Sequence, residues 1–181
     1  KVSGIILLSL SFGTKILVLP FIPIYFIFIY MLVKRKKEFF SLLFLFTLIT
    51  IGIYVPFYLW DKTGFIEDLF IYPFAGGNAS HPVVGIAIPQ LLQTIGFISE
   101  KSNFPFHILQ LCILGLWSLF SFFFMKKFEN ITTLCILSSL GFLLVLAFSR
   151  IVQTNYVAFV SQILVLAVCC KPPLHTIYEH A

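Results

Sequence analysis

Of the seven acidic residues in this 181-residue chain, three, Asp61, Glu67 and Asp68, fall within the single stretch from Tyr54 to Pro82. The same stretch carries Trp60, Tyr72, Asn78 and His81, and long apolar runs flank it on both sides. Carboxylates can serve as a general base or ligate a divalent metal ion. A cation brought beside them can neutralise a phosphate, and an arginine can do so with two parallel hydrogen bonds. Lys15 and Arg150 are the cations placed for that. Arg150 is the more informative of the two, because it is the one charge in a run that is otherwise uncharged from Ile131 to Cys170.

Each of these groups also has a purely structural role open to it. Asp61 stands directly before Lys62-Thr63-Gly64 and can cap a helix running from Lys62 to Tyr72. Glu67 and Asp68 are adjacent, so on a helix they point about 100° apart and suit a solvated face. His81, just before Pro82, reads as a loop residue. Arg150 can anchor at the level of lipid headgroups. Cys112, Cys135, Cys169 and Cys170 form no CxxC or Cys/His metal spacing and read as small buried hydrophobes. Asn78-Ala79-Ser80 and Asn130-Ile131-Thr132 match the glycosylation sequon.

The elements that must hold these residues follow from composition. The chain is 60% hydrophobic, 18% aromatic and only 10% charged, with a mean hydropathy of +1.04. Soluble domains carry about 25% charged residues. An all-α, polytopic integral membrane protein is therefore expected, with the lipid bilayer as its partner. The formal charge of +5 does not indicate a nucleic acid, because the basic residues sit at the ends of apolar runs and form no stripe along one face.

Charge-free windows predict five crossings in a single transmembrane domain, at 16–33, 39–60, 104–125, 131–149 and 151–170, with a long loop at 61–103. Within that loop, Val84, Ile88, Leu91, Leu92, Ile95 and Ile98 share one helical arc, opposite Gln90, Gln93 and Thr94. This predicts an interfacial helix over Val83 to Ser99, with a re-entrant segment as the alternative. The first run, Val2 to Gly13, is too short to cross a hydrocarbon core, and the first residue is Lys1, so a piece of a longer polypeptide is expected.

Orientation follows from the bias of Lys and Arg towards the cytoplasm. With Lys34-Arg35-Lys36-Lys37 placed there, alternation puts Lys126, Lys127, Lys171 and the C-terminus on the same side. The extracytoplasmic side receives Lys15, the 61–103 loop and Arg150. The membrane would be the cytoplasmic membrane of a prokaryote or the ER membrane of a eukaryote.

Three segments carry a resemblance. Gly4 to Lys15, running through Leu19-Pro20-Phe21-Ile22-Pro23 to the basic cluster at Lys34, resembles a stretch of GT-C membrane glycosyltransferases. Pro56-Phe57-Tyr58-Leu59-Trp60-Asp61, with Phe65 to Asp68 and Tyr72, is similar to a loop of glycosyltransferase family 87 and related polyprenyl-phosphate-sugar enzymes. Ser149-Arg150 with Asn155-Tyr156 fits the same pattern. The resemblance implies a transferase that moves a sugar from a polyprenyl phosphate carrier to an acceptor on the extracytoplasmic face. It implies that Lys15 and Arg150 bind the carrier phosphate, with Tyr72, His81, Asn155 and Tyr156 as further candidates, and that Asp61, Glu67 and His81 line the acceptor side. The main catalytic acid of such enzymes lies in a first extracytoplasmic loop, which would fall upstream of Lys1 and leave this stretch inactive alone. A divalent metal requirement stays open. A transporter subunit is the alternative, although its ionisable residues would be expected near the bilayer midplane rather than at span ends. A membrane scaffold without chemistry is the third reading.

Overall fold

The structure, a computed structural model, describes residues 1–14, 18–71, 84–85, 87–99, 106–128, 130–149, 151–152 and 154–169, without the side chains of 70–71, 84–85 and 151–155. It is helical apart from one two-residue pairing. Helix α1 spans Val2–Thr14, α2 Phe21–Leu32, α3 Lys36–Trp60 and α4 Lys62–Ile66, the last continuing as a π-helical turn over Glu67–Ile71. After β1 (Val84–Gly85) come α5 (Ile88–Thr94), α6 (Phe106–Lys127), α7 (Ile131–Ala147), β2 (Ile151–Val152) and α8 (Thr154–Cys169).

Local chemistry sets the helix ends, and several differ from the sequence expectation. Helix α2 starts at Phe21 and not Ile16, because Pro20 takes the N-cap position and Val18 to Pro20 form a turn. A proline lacks the N–H that an interior position needs and biases the residue before it away from helix. At 12 residues, α2 is only about 18 Å long. Helix α3 begins three residues before the predicted Phe39, with Glu38 in its first turn against the positive end of the helix dipole. Asn130 caps α7, its side-chain oxygen accepting from the Thr133 amide at 2.8 Å. The expected extent of the helix over Val83 to Ser99 is corrected: among the described residues of that range, Ile88–Thr94 alone is helical. Val84 and Gly85 are taken by the strand, and Gly96 closes the other end at φ 75, a conformation glycine adopts without a Cβ clash.

Among the described residues two helices, α3 and α6, are long and apolar enough to cross a membrane. The other apolar helices are shorter than a hydrocarbon core requires.

Helix α2 lies at the centre. Ile24, Phe26, Phe28 and Ile29 are buried on several sides of it, as expected of a helix apolar all round. One cluster joins its Phe26 and Ile29 to Ile5 of α1 and to Leu42 and Phe46 of α3. A second joins Ile24 and Phe28 to Met125 of α6 and Leu137 of α7. A third packs Phe142, Leu146 and Val160 of α7 and α8 against Phe21.

Helices α1 and α3 run side by side in the same direction. The Lys1 ammonium meets the Glu38 carboxylate at 3.0 Å at one end. At the other, a Cβ on Gly13 would come within 2.7 Å of Ile53, so glycine lets the two backbones approach closely. Helices α6 and α7 are antiparallel. The Trp117 indole N–H donates to the Leu137 carbonyl at 2.9 Å, and the Gln110 amide donates to the Val145 carbonyl at 3.1 Å. Gly141 makes room for the Trp117 ring, since a Cβ there would lie 2.6 Å from it.

These contacts sort the loops into two ends. Met125, beside Lys126, packs with Phe28 and Met31, so Lys126 and Lys127 share an end with the Lys34 to Lys37 turn. The ends of α1, α3 and α7 and the start of α6 gather at the other. There β1 and β2 pair in parallel, Val84 with Ile151 and Gly85 with Val152. The backbone at Ile151 and Val152 is thus joined to Val84 and Gly85 of the 61–103 stretch.

Candidate functional site

Two adjoining cavities occupy the end of the bundle away from the basic turns. The larger, about 760 Å³, is lined by Phe12, Leu19, Ile51, Tyr54, Val55, Tyr58, Phe65, Leu69, His107 and Leu111. It is almost wholly apolar, and five helical elements contribute to its walls. The smaller, about 450 Å³, is lined by Gly13, Tyr54, Phe57, Trp60, Asp61, Gly64, Phe65, Asp68 and Leu69. Tyr54, Phe65 and Leu69 belong to both, so the apolar cavity and the acidic recess share a wall.

The sequence builds that wall from the last turns of α3 and the first of α4. Residues at i, i+3 and i+4 of a helix lie on one face, so Tyr54, Phe57 and Tyr58 project together. Asp61 stops α3 in an extended conformation and caps α4, its Oδ1 accepting from the Gly64 amide at 2.9 Å. Gly64 leaves space for that carboxylate: a Cβ there would lie on Asp61. The chain then reverses, and the Phe65 ring meets Tyr54 and Tyr58 edge-on at 5.8 Å and 5.7 Å. The π turn that follows carries Asp68 and Leu69 into the cavity walls. Widened turns of this kind occur frequently at functional sites.

The Tyr54 hydroxyl is engaged, donating to the Phe12 carbonyl at 2.8 Å, and so ties α3 to α1. Asp61 and Asp68 are exposed at the recess, as is Glu67, which does not line it. Lys62 stands over the Tyr58 ring, 5.8 Å from its centroid. Trp60 is 89% exposed. It ends a long apolar helix, the position at which tryptophan settles at a membrane interface.

The sequence-selected residues divide accordingly. Asp61 is both the expected cap and a wall of the recess. Glu67 and Asp68 are solvated as expected, yet the π turn separates their roles, with Asp68 alone lining the cavity. Tyr156 is half-buried and packs with Phe142, Leu146 and Val160 between α7 and α8, so its position is that of a packing residue. Asn155 lies in the first turn of α8 with its side chain outside the described set. Lys15, Tyr72, His81 and Arg150 lie outside the described residues, as does the Asn78 sequon. Cys112 and Cys169 are exposed, which corrects the expectation that they are buried. The long charge-free windows said nothing about which face of a span lies inside. Among the described residues no group of three His, Cys, Asp or Glu side chains is gathered to hold a metal ion.

No family model, curated protein or solved structure matches this chain.

Sequence reasoning gave no site role to Tyr54, Phe57, Phe65, Leu69, His107 or Leu111, although the first three fall in stretches it singled out. The aromatic spacing from Tyr54 to Phe65, bracketing Asp61, was the available signal for the first three. For His107 and Leu111 there was none, because their place depends on α6 packing across the bundle from α3.

Proposed function

We propose that the chain is a polytopic membrane protein with five crossings and forms part of a glycosyltransferase that draws its sugar from a polyprenyl phosphate carrier. The membrane half of this reading rests on α3 and α6. Only 6% and 17% of their most apolar windows lie inside the bundle, whereas the core helix of a soluble protein is mostly buried. Their outward Phe44, Leu48, Leu116 and Phe123 would be costly in water and suit a hydrocarbon surround. Tilt, flanking turns and local thinning of the bilayer accommodate the shorter helices.

The observation that carries the chemical half is the recess of Asp61, Asp68 and Trp60 at the end of α3, beside a cavity fit for a lipid chain. Carboxylates there can accept from the hydroxyls of an acceptor. Lys15 and Arg150 are the cations proposed to hold the carrier phosphate, where the leaving group gains charge.

The test is sugar transfer from a radiolabelled polyprenyl phosphate sugar by membranes containing the full polypeptide. Replacing Arg150 by Ala should lower transfer about 10²-fold, the usual effect of losing one group that stabilises developing charge. Unchanged transfer would remove Arg150 from the phosphate role.

A further inference from the structure

We infer that the acidic recess and the apolar cavity beside it form one site for a lipid with a neutral, hydroxyl-bearing headgroup, and that this recess does not take a phosphate. The inference rests on the membrane reading above but not on the transfer chemistry. The larger cavity is about 760 Å³ with an almost wholly apolar lining, a size and character that ligand cavities commonly have. A bare apolar cavity would accept any hydrocarbon. Its neighbour supplies the selectivity, because the two share Tyr54, Phe65 and Leu69. A chain lying against Ile51, Val55 and Leu111 would therefore deliver its head beside Asp61 and Asp68.

Charge decides what that head can be. Asp61 spends one oxygen on the Gly64 amide and keeps the other for an incoming donor, and Asp68 adds a second carboxylate to the same recess. Among the described residues that line the recess these two carboxylates are the charged groups, Lys62 lying over the Tyr58 ring instead. Such a pair attracts hydrogen-bond donors and repels a phosphate. The recess, at about 450 Å³, is large for an ammonium group, which would leave most of it to water, and has room for a sugar head. Trp60, almost fully exposed, offers a flat apolar face of the kind that packs on the C–H side of such a ring. The Tyr54 hydroxyl, already bonded to Phe12, stiffens the shared wall instead of binding the head. The site thus matches a glycolipid and is placed to receive it from the bilayer.

The protein, reconstituted in phosphatidylcholine vesicles, would be labelled with three dodecyl probes that carry the same diazirine on the chain and differ only in the head: maltoside, phosphate or ethanolamine. Mass spectrometry would locate the adducts. Maltoside probe should label the segments around Ile51, Val55 and Leu111 about tenfold more than either of the others. Leu111→Trp, which fills the cavity, should abolish those adducts. Asp61→Asn with Asp68→Asn keeps a cap-competent side chain at position 61 and should erase the preference for maltoside while leaving chain labelling. Equal labelling by all three heads would mean that bulk lipid fills the cavity, and a preference for phosphate or ethanolamine would equally overturn the inference. Loss of sugar transfer with maltoside selectivity intact would strike the transferase reading alone. Absence of selectivity in the unsubstituted protein, still held in the bilayer and active in sugar transfer, would strike this inference alone.

Discussion

Helices α2 and α3 have nearly the same kind of sequence and opposite situations. Both are apolar and aromatic, and both are bounded by the Lys34 to Lys37 turn. Yet α2 buries four of its 12 residues while α3 buries two of its 25. The difference is one of neighbours. Helix α2 is flanked by α1 and α3 on one side and by α6 and α7 on the other, and glycine at position 141 of α7 lets Ile24 of α2 and Trp117 of α6 approach its backbone closely. Helix α3 has α1 and α2 on one side and presents the rest of its surface outward. Where every residue is apolar, hydropathy no longer distinguishes inside from outside. Shape does, through small residues that permit close approach.

Truncation should therefore have unequal effects on the two helices. Ile24→Ala, at a fully buried position, should destabilise the protein by about 2–4 kcal/mol through the cavity it opens, measured by denaturant titration in micelles. A loss below about 1 kcal/mol would mean that α2 is not the shared core. Asp61→Ala should cost about 1 kcal/mol of local stability by removing the α4 cap, with Asp61→Asn close to neutral. Hydrogen exchange of the Gly64 amide reads this directly, and equal exchange in both variants would deny the cap. Leu48→Ala, on the outward face of α3 at 55% exposure, should change stability by less than about 0.5 kcal/mol. A loss matching that of Ile24→Ala would show that an unseen partner covers this face.

The sequence made helical class, the approximate places of the long helices and the grouping of basic residues at one end readable, because each depends on composition or local charge. Asp61 as a cap was legible from Asp61 to Gly64 alone. The start of α2 was not, since the charge-free window ran on through Pro20 and hid a break that proline enforces. The helix at α5 was expected, but its extent was overestimated for a different reason. Its apolar arc continues to Ile98, but Val84 and Gly85 pair instead with Ile151 and Val152, a contact across 67 positions of chain that no local pattern announces. The two cavities belong to the same class. Their walls come from α1, α3, α4 and α6, and only packing brings Leu111 opposite Val55. Asp68 was visible as a charge but not as a wall residue, because its place depends on the π turn, whose wider coil departs from the 100° spacing assumed for a helix.

The central claim is that the outward face of α3 meets lipid while its inward face meets α1 and α2. The most direct measurement places a nitroxide at each position from 40 to 58, in a cysteine-free background reconstituted in vesicles, and compares collision with oxygen against collision with a water-soluble nickel chelate. Labels at Phe44 and Leu48 should collide readily with oxygen and rarely with nickel, and those at Leu42 and Phe46 rarely with either, in a period near 3.6. Frequent collision with nickel at Phe44 and Leu48 would place that face in water and contradict the account.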